Sequence, residues 1–225
     1  MEVHMFKFSV GLVLSIVILF AVEVEASDRF KEGVHYTHFP KATPTATPQL
    51  TEYFSVFCPA CYNVEVNRNI IEQYIPKHIT RDKVHVTFVN GTNRDGFQAI
   101  AQATALSHLY RDQLGNDLMW RIFGEIHEHR QRPQAHDIRR IVSQFNTTNH
   151  NYSELMDSFR VKALANQMSE KQREAQRLRM VTGVPTFIVN GQYRLNLQHL
   201  SQDNWAKELG DLIDYLSQKN AAADQ

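Results

Sequence analysis

Residues 53–61 read Tyr53-Phe54-Ser55-Val56-Phe57-Cys58-Pro59-Ala60-Cys61 and contain the only two cysteines of the chain. The apolar run before Cys58 predicts a strand, and the pattern of residues 62–74 predicts a helix. Two cysteines three positions apart at the start of a helix are close enough to form and break a disulfide with each other. The stretch therefore predicts a dithiol/disulfide redox site at a strand-to-helix junction.

The position of Cys58 also favours its reactive form. A thiol reacts as its thiolate, and a sulfur that caps a helix faces unpaired N–H groups and the positive end of the helix dipole. Pro59 and Ala60 then open the helix, and proline suits its first position. We expect Cys58 to be the attacking sulfur, and Cys61, one turn further along, to resolve the mixed disulfide.

The two cysteines have three other interpretations. A structural disulfide across so short a loop contributes only about 2 kcal/mol, which matters little to a chain with 43% hydrophobic residues. A zinc site would need further ligands from the eleven histidines, and the neighbours His127-Glu128-His129 do not share a helix face. Two unrelated buried cysteines fit poorly with the intervening Pro59. We therefore predict no metal here.

The N-terminus predicts export from the cytosol. Lys7 is followed by an apolar run at residues 8–22, and Val24-Glu25-Ala26 offers small side chains for signal peptidase. Residues 1–26 are therefore predicted to be a cleaved signal peptide. An uncut membrane anchor is the alternative, but about 15 apolar residues fall short of the roughly 20 that span a bilayer. Disulfides persist in the compartments outside the cytosol.

The remaining chain divides into a core interrupted by helices. Residues 27–92 predict an edge strand at 34–39, a central strand at 50–57, the helix after Cys58, and a strand at 84–89. Residues 93–182 show helical patterns without a strand signal, so they predict an inserted all-helical subdomain. The formal net charge of zero gives no indication of a nucleic-acid partner.

The core resumes in residues 183–220. A strand at 184–189, the turn Asn190-Gly191 and a return strand at 192–195 predict a hairpin. An amphipathic helix follows, with Ser201 or Asp203 as its N-cap, and residues 221–225 form a frayed tail. The order β-α-β, helices, β-β-α is that of an α/β protein with a central mixed sheet, a thioredoxin-like core with a helical insertion.

Four further residues are candidates for the site. Val184-Pro185 opens a strand and is a candidate for a cis peptide bond, with an ordinary trans proline as the alternative. Glu52 lies in a strand pattern six residues before Cys58, and Lys83 begins the strand predicted at 84–89. They are either solvated charges or, if they point toward Cys61, groups that move protons as the disulfide of Cys61 breaks and forms.

Two segments resemble the DsbA-type thiol:disulfide oxidoreductases of the bacterial periplasm. The first runs from Glu52 to Cys61, and the second is Val181-Thr182-Gly183-Val184-Pro185-Thr186-Phe187-Ile188-Val189-Asn190-Gly191-Gln192-Tyr193. The resemblance implies that Val184 and Pro185 form a cis-proline loop that presents backbone to the substrate. It also implies that Glu52 and Lys83 are the buried acid and base of the family.

The resemblance implies a role as well. The protein would oxidise thiols of unfolded or reduced exported proteins, and a DsbB-type quinone-linked membrane protein would reoxidise it. No soluble cofactor is implied, and we expect a monomer. The alternatives are a disulfide reductase or isomerase with restricted substrates, or a peptide-binding chaperone with little redox activity.

One residue departs from the family pattern. The usual dipeptide between the cysteines is Pro-His, whereas this chain has Pro59-Ala60. A histidine there can place positive charge near the thiolate, which Ala60 cannot. We therefore expect a less stabilised Cys58 thiolate and a weaker oxidant.

Overall fold

The computed structural model describes residues 29–219. The predicted signal peptide at residues 1–26 and the predicted tail at 221–225 lie outside the described residues, so both stay predictions.

The centre of the fold is a five-stranded mixed sheet in the order β1-β5-β4-β2-β3. The pair β2 and β3 is parallel, and the other neighbouring pairs are antiparallel. This arrangement confirms the predicted α/β class with β2 inside the sheet. The strands are β1 (Tyr36–His38), β2 (Gln49–Phe54), β3 (Thr80–His85), β4 (Thr186–Val189) and β5 (Tyr193–Leu195).

The helices fall into three groups along the chain. Two follow the cysteines, a larger group separates β3 from β4, and one closes the fold after a short 3-10 turn at Leu197–His199. They are α1 (Pro59–Val66), α2 (Arg68–Tyr74), α3 (Arg94–Leu109), α4 (Arg111–Leu114), α5 (Asp117–His127), α6 (Ala135–Ser143), α7 (Tyr152–Leu155), α8 (Phe159–Arg177) and α9 (Trp205–Gln218). No helix within residues 29–219 is both long enough and apolar enough to cross a membrane.

Two apolar clusters hold the helices against the sheet. The larger joins Phe54 and Val84 to residues of the helical region such as Ile100 and Phe123. The smaller joins Leu50 and strand β4 to α2 and α9. Full burial of side chains of this size contributes roughly 1.5–3 kcal/mol each. We propose that residues 93–182 form the inserted subdomain, since all helices from α3 to α8 lie between β3 and β4.

Strand β3 begins and ends four residues earlier than the predicted strand at 84–89. Its polar start is accommodated because the buried Asp82 binds Lys171 on α8 and the backbone N–H of Lys83. Its end is set by the partner strand: Val86 donates its N–H to the Phe54 carbonyl at 2.7 Å, after which the chain carrying the cysteines turns away. Pairing with β2 therefore set the limits of β3, rather than the β-propensity of residues 84–89.

The helix after the cysteines is broken at Asn67, which caps both α1 and α2, although one continuous helix to residue 74 was expected. Neither predicted N-cap of the last helix is used. The N-cap of α9 is Asn204, and the N–H of Ser201 instead donates to the Glu208 carboxylate.

The predicted hairpin turn is confirmed. Asn190 and Gly191 have φ values of 50° and 72°, and they join β4 to β5. Positive φ at both central residues is what a type I′ turn requires, and Asn-Gly adopts it readily. The turn also bonds to the start of β2, because Asn190 donates its N–H to the Gln49 carbonyl and accepts the Gln49 N–H on its side-chain oxygen.

Candidate active site

Cys58 occupies the N-cap of α1. Its backbone is extended (φ −95°, ψ 118°), and its sulfur accepts a hydrogen bond from the N–H of Cys61 at 3.4 Å. Pro59 is the first residue of the helix, as expected. The sulfur thus takes the place of a capping oxygen and lies at the positive end of the helix dipole, which favours an anion.

The two thiols have different environments. Cys58 is partly exposed, whereas Cys61 is 1% exposed and belongs to the larger apolar cluster. Burial raises the pKa of the Cys61 thiol, and the charges of Cys58 and Glu52 raise it further. Cys58 is therefore the sulfur that a second molecule can reach, and Cys61 is held as a protonated thiol.

The loop before β4 lies against Cys58. The Cys58 thiol donates to the carbonyl oxygen of Val184 at 3.4 Å, and the bond from Val184 to Pro185 is cis. Register explains the approach, because Thr186 on β4 pairs with Tyr53 on β2. The structure thus brings the predicted loop residues together with the predicted redox pair.

Glu52 and Lys83 also meet, because they pair directly across β2 and β3. Lys83 Nζ lies 3.0 Å from Glu52 Oε2 and 3.1 Å from Glu65 Oε2. It also lies 5.0 Å from the ring centroid of Phe54. Burial lowers the pKa of Lys83, and the Glu52 carboxylate opposes this effect. Lys83 thus neutralises two carboxylates close to Cys61.

Sequence reasoning missed Glu65. It is 5% exposed on α1, four residues after Cys61, and forms an ion pair with Arg68 in addition to Lys83. The available signal was its helical spacing, since residues i and i+4 share one helix face. A carboxylate on the buried face of the helix needs a cation, and Lys83 and Arg68 both serve Glu65.

Two histidines hold the backbone that precedes Cys58. His85 Nε2 accepts the N–H of Val56 at 3.1 Å, and His127 Nε2 lies 2.8 Å from the Val56 carbonyl oxygen. Burial lowers the pKa of His85 to about 3, so it remains neutral and accepts. Sequence reasoning gave neither histidine this role, because it depends on contacts between distant segments.

His127 and Glu128 form a cluster with Tyr62 on α1. The rings of Tyr62 and His127 are stacked at 4.7 Å, and Tyr62 donates to Glu128 Oε1 at 2.6 Å. The hydrogen bond to Glu128 raises the pKa of Tyr62. The cluster fastens α5 to the active-site helix. Among residues 29–219, no group of three His, Cys, Asp or Glu side chains is placed to hold a metal ion.

Gly91 lets the loop after β3 approach the turn before Cys58. A Cβ at Gly91 would lie 2.1 Å from the ring of Phe57, so any other residue would displace that ring. Phe57 in turn packs edge-on against Phe97. The contact between Phe57 and Phe97 on α3 therefore fixes the turn that carries Cys58.

An apolar groove of about 410 Å³ lies beside the cis-proline loop. It is formed between α1, α2, β4 and the segment that leads into α9. Its apolar side chains are Val64, Ile71, Phe187, Leu197, Leu200, Trp205 and Leu209. Phe187 follows Pro185 by two residues, so the groove begins next to the loop that contacts Cys58.

Comparisons with known proteins agree with this geometry. The family model described as Thioredoxin matches residues 42–214. The thiol:disulfide interchange protein DsbA of Escherichia coli strain K12 is 30% identical over 198 residues, which cover 85% of this chain and 90% of that protein.

Two solved structures share the fold. DsbA from Klebsiella pneumoniae is 25% identical with a TM-score of 0.69, over 84% of this chain and 97% of that one. DsbA from Proteus mirabilis with a non-covalently bound peptide is 24% identical with a TM-score of 0.68, over 84% of this chain and 98% of that one. The chain therefore belongs to the DsbA family of thiol:disulfide interchange proteins, within the thioredoxin-like fold, and is a protein-disulfide oxidoreductase.

Proposed function

We propose that this oxidoreductase introduces disulfides into exported proteins through a mixed disulfide on Cys58. One observation carries the proposal: a partly exposed sulfur at a helix N-terminus lies 3.4 Å from the Val184 carbonyl and next to the buried Cys61. Only Cys58 is open to attack, and it is the sulfur whose thiolate the helix stabilises on leaving.

The exchange proceeds in two steps. A substrate thiolate attacks Cys58 in the Cys58–Cys61 disulfide, which forms the mixed disulfide and releases Cys61 as a thiolate. A second thiolate of the substrate then attacks the substrate sulfur of the mixed disulfide. This forms the substrate disulfide and releases Cys58 as a thiolate. The substrate loses two electrons, and the cysteine pair gains them. In the reverse of the first step, Cys61 attacks the Cys58 sulfur of the mixed disulfide. This re-forms the Cys58–Cys61 disulfide and releases the substrate thiolate.

Glu52 and Lys83 are proposed to relay the proton that Cys61 needs. Burial raises the pKa of Cys61, so its thiolate takes up a proton after it leaves the disulfide. Lys83 lies 3.0 Å from Glu52, whose charge acts on Cys61. A lysine whose pKa is lowered by burial gives up a proton more readily than an exposed one.

We propose that the substrate peptide binds at the Val184–Pro185 loop and the adjacent apolar groove. The peptide bound to DsbA from Proteus mirabilis supports such an interaction. The location is proposed to be the periplasm, reached by a cleaved signal peptide. A DsbB-type quinone-linked membrane oxidase is proposed to remove the two electrons. The protein is proposed to act as a monomer, because Cys58, Cys61 and Val184 come from one chain.

The test is the reactivation of reduced, unfolded ribonuclease by the purified, oxidised protein in a glutathione buffer. We expect ribonuclease activity to return much faster than in buffer alone. The doubly substituted Cys58→Ser/Cys61→Ser protein should give no acceleration. Equal rates for the two proteins would contradict the proposal.

The same assay separates the alternatives. Reactivation of scrambled ribonuclease with little effect on the reduced enzyme would indicate an isomerase. Suppression of aggregation that survives replacement of both cysteines would indicate a chaperone. Analytical ultracentrifugation of the same preparation tests the monomer.

A further inference from the structure

A second cavity, distinct from the apolar groove, lies between α2, β3 and the segment that joins α3 to α5. Its volume is about 300 Å³, at the lower end of the range for small-molecule sites. Four cationic side chains line it, Arg68, Arg81, Lys83 and Arg111. We call it the cationic cavity.

The carboxylates around the cationic cavity do not balance these charges. Glu72 lines it and pairs with Arg81 at 3.0 Å. Lys83 and Arg68 pair with Glu65, and Lys83 also pairs with Glu52. Within residues 29–219, three carboxylates thus meet four cations, and Arg111 forms no ion pair.

Arg111 is held in place without being neutralised. Its Nη2 donates to the carbonyl oxygen of Arg81 at 3.1 Å, which leaves most of its N–H groups available. A guanidinium has five N–H donors in a planar fork that matches the oxygens of a carboxylate or phosphate. The Nη2 of Arg68 is already engaged by the Glu65 carboxylate, so Arg111 is the cation of this cavity that has open donors.

The remaining lining residues carry no charge. Gly115 and Asn116 border the cavity just before α5, and the Asn116 side chain does not cap that helix. Asp117, the first residue of α5, is exposed and does not line the cavity. Burial lowers the pKa of His108, so this lining residue is neutral at pH 7 and does not add to the charge.

We propose that the cationic cavity binds a small anion that carries a phosphate or carboxylate group. The oxygens of the anion accept from the guanidinium of Arg111, and the excess positive charge is neutralised. The bound anion lies beside Lys83, the lysine that also pairs with Glu52 near Cys61.

The experiment titrates the purified protein with inorganic phosphate and, separately, with succinate, each against sodium chloride at equal ionic strength. Backbone amide NMR shifts locate the site, and the thermal midpoint measures stabilisation by binding. We expect saturable shifts at Gly115 and Asn116 with at least one of the two anions. A response to phosphate alone identifies a phosphate site, and a response to succinate alone a carboxylate site.

Arg111→Gln is expected to weaken binding at least about tenfold, because charge-assisted hydrogen bonds are lost. Arg160→Gln is the matched control, since Arg160 is exposed on α8 and does not line the cavity. If Arg111→Gln does not fold, Arg111→Lys keeps the charge, loses the planar fork and should weaken binding several-fold. Equal affinity in the Arg111 variant, or no saturable shift with either anion, would overturn the proposal.

Discussion

The Cys58 thiol donates a hydrogen bond of 3.4 Å to the carbonyl oxygen of Val184, a residue 126 positions later in the chain. The bond requires the thiol proton, so it is lost when Cys58 ionises or joins another sulfur. The Val184 carbonyl then becomes free to accept from a bound peptide. The sulfur of Cys58 and the loop proposed to bind peptide are thus linked through one proton.

The two cysteines should differ in reactivity when each is left alone. In Cys61→Ser, the remaining Cys58 should form a stable mixed disulfide with glutathione disulfide. In Cys58→Ser, the buried Cys61 should react at least about tenfold more slowly, because burial raises its pKa and limits access. Mass spectrometry over time measures both rates. Comparable rates would mean that Cys61 is accessible.

Ala60→His should make the protein a stronger oxidant. A histidine at the helix N-terminus can place positive charge near the Cys58 thiolate, and a tenfold change in the glutathione equilibrium corresponds to about 30 mV. The equilibrium with glutathione should shift about tenfold toward the reduced protein. Ala60→Gln is the control for side-chain size and should shift it less. Equal potentials for the wild type and the histidine variant would refute this account of Ala60.

Lys83→Met should destabilise the fold by about 3–5 kcal/mol, because the buried Glu52 loses its cation and Glu65 keeps only Arg68. Urea unfolding measures the free energy. The double variant Glu52→Gln/Lys83→Met should lose less free energy of unfolding than the sum of the losses in the two single variants.

The exposed pair of Lys207 and Asp211, 2.8 Å apart, serves as the control for Lys83. Lys207→Met should cost no more than about 0.5 kcal/mol, as is usual for surface pairs on one helix. A similar small cost for Lys83→Met would show that the buried network contributes little to stability.

His85 should make stability depend on pH. Its folded pKa, about 3, lies below the ordinary value of 6.5, so the unfolded chain binds a proton that the folded chain does not. The contribution of neutral His85 to the free energy of unfolding is complete above pH 6.5. It is lost as the pH falls toward 3, with a slope of about 1.4 kcal/mol per pH unit between these values.

The measurement compares unfolding free energies of the wild type and His85→Gln between pH 4 and 6. Glutamine can still accept from the Val56 N–H but does not titrate, so the difference between the two proteins should shrink as the pH falls. His136→Gln is the control, because the His136 side chain is 81% exposed. A constant difference for His85→Gln would exclude this role.

The sequence by itself predicted the redox pair, and it determined the cap position of Cys58 and the Asn-Gly hairpin. Each follows from local rules: cysteine spacing, proline at the first helical position, and the positive φ that Asn190 and Gly191 adopt. The family also followed from short motifs, since Glu52 to Cys61 and Val181 to Tyr193 are contiguous in the chain.

Only the tertiary structure decided the limits of β3, the partners of Lys83 and the roles of His85 and His127. Strand pairing placed Lys83 beside Glu52, and helix packing added Glu65 and the contact of His127 with Val56. These contacts join residues far apart in sequence, and burial gives them their strength because desolvated charges and polar groups must find partners. The sequence therefore located the reactive sulfur, whereas packing determined which groups surround it.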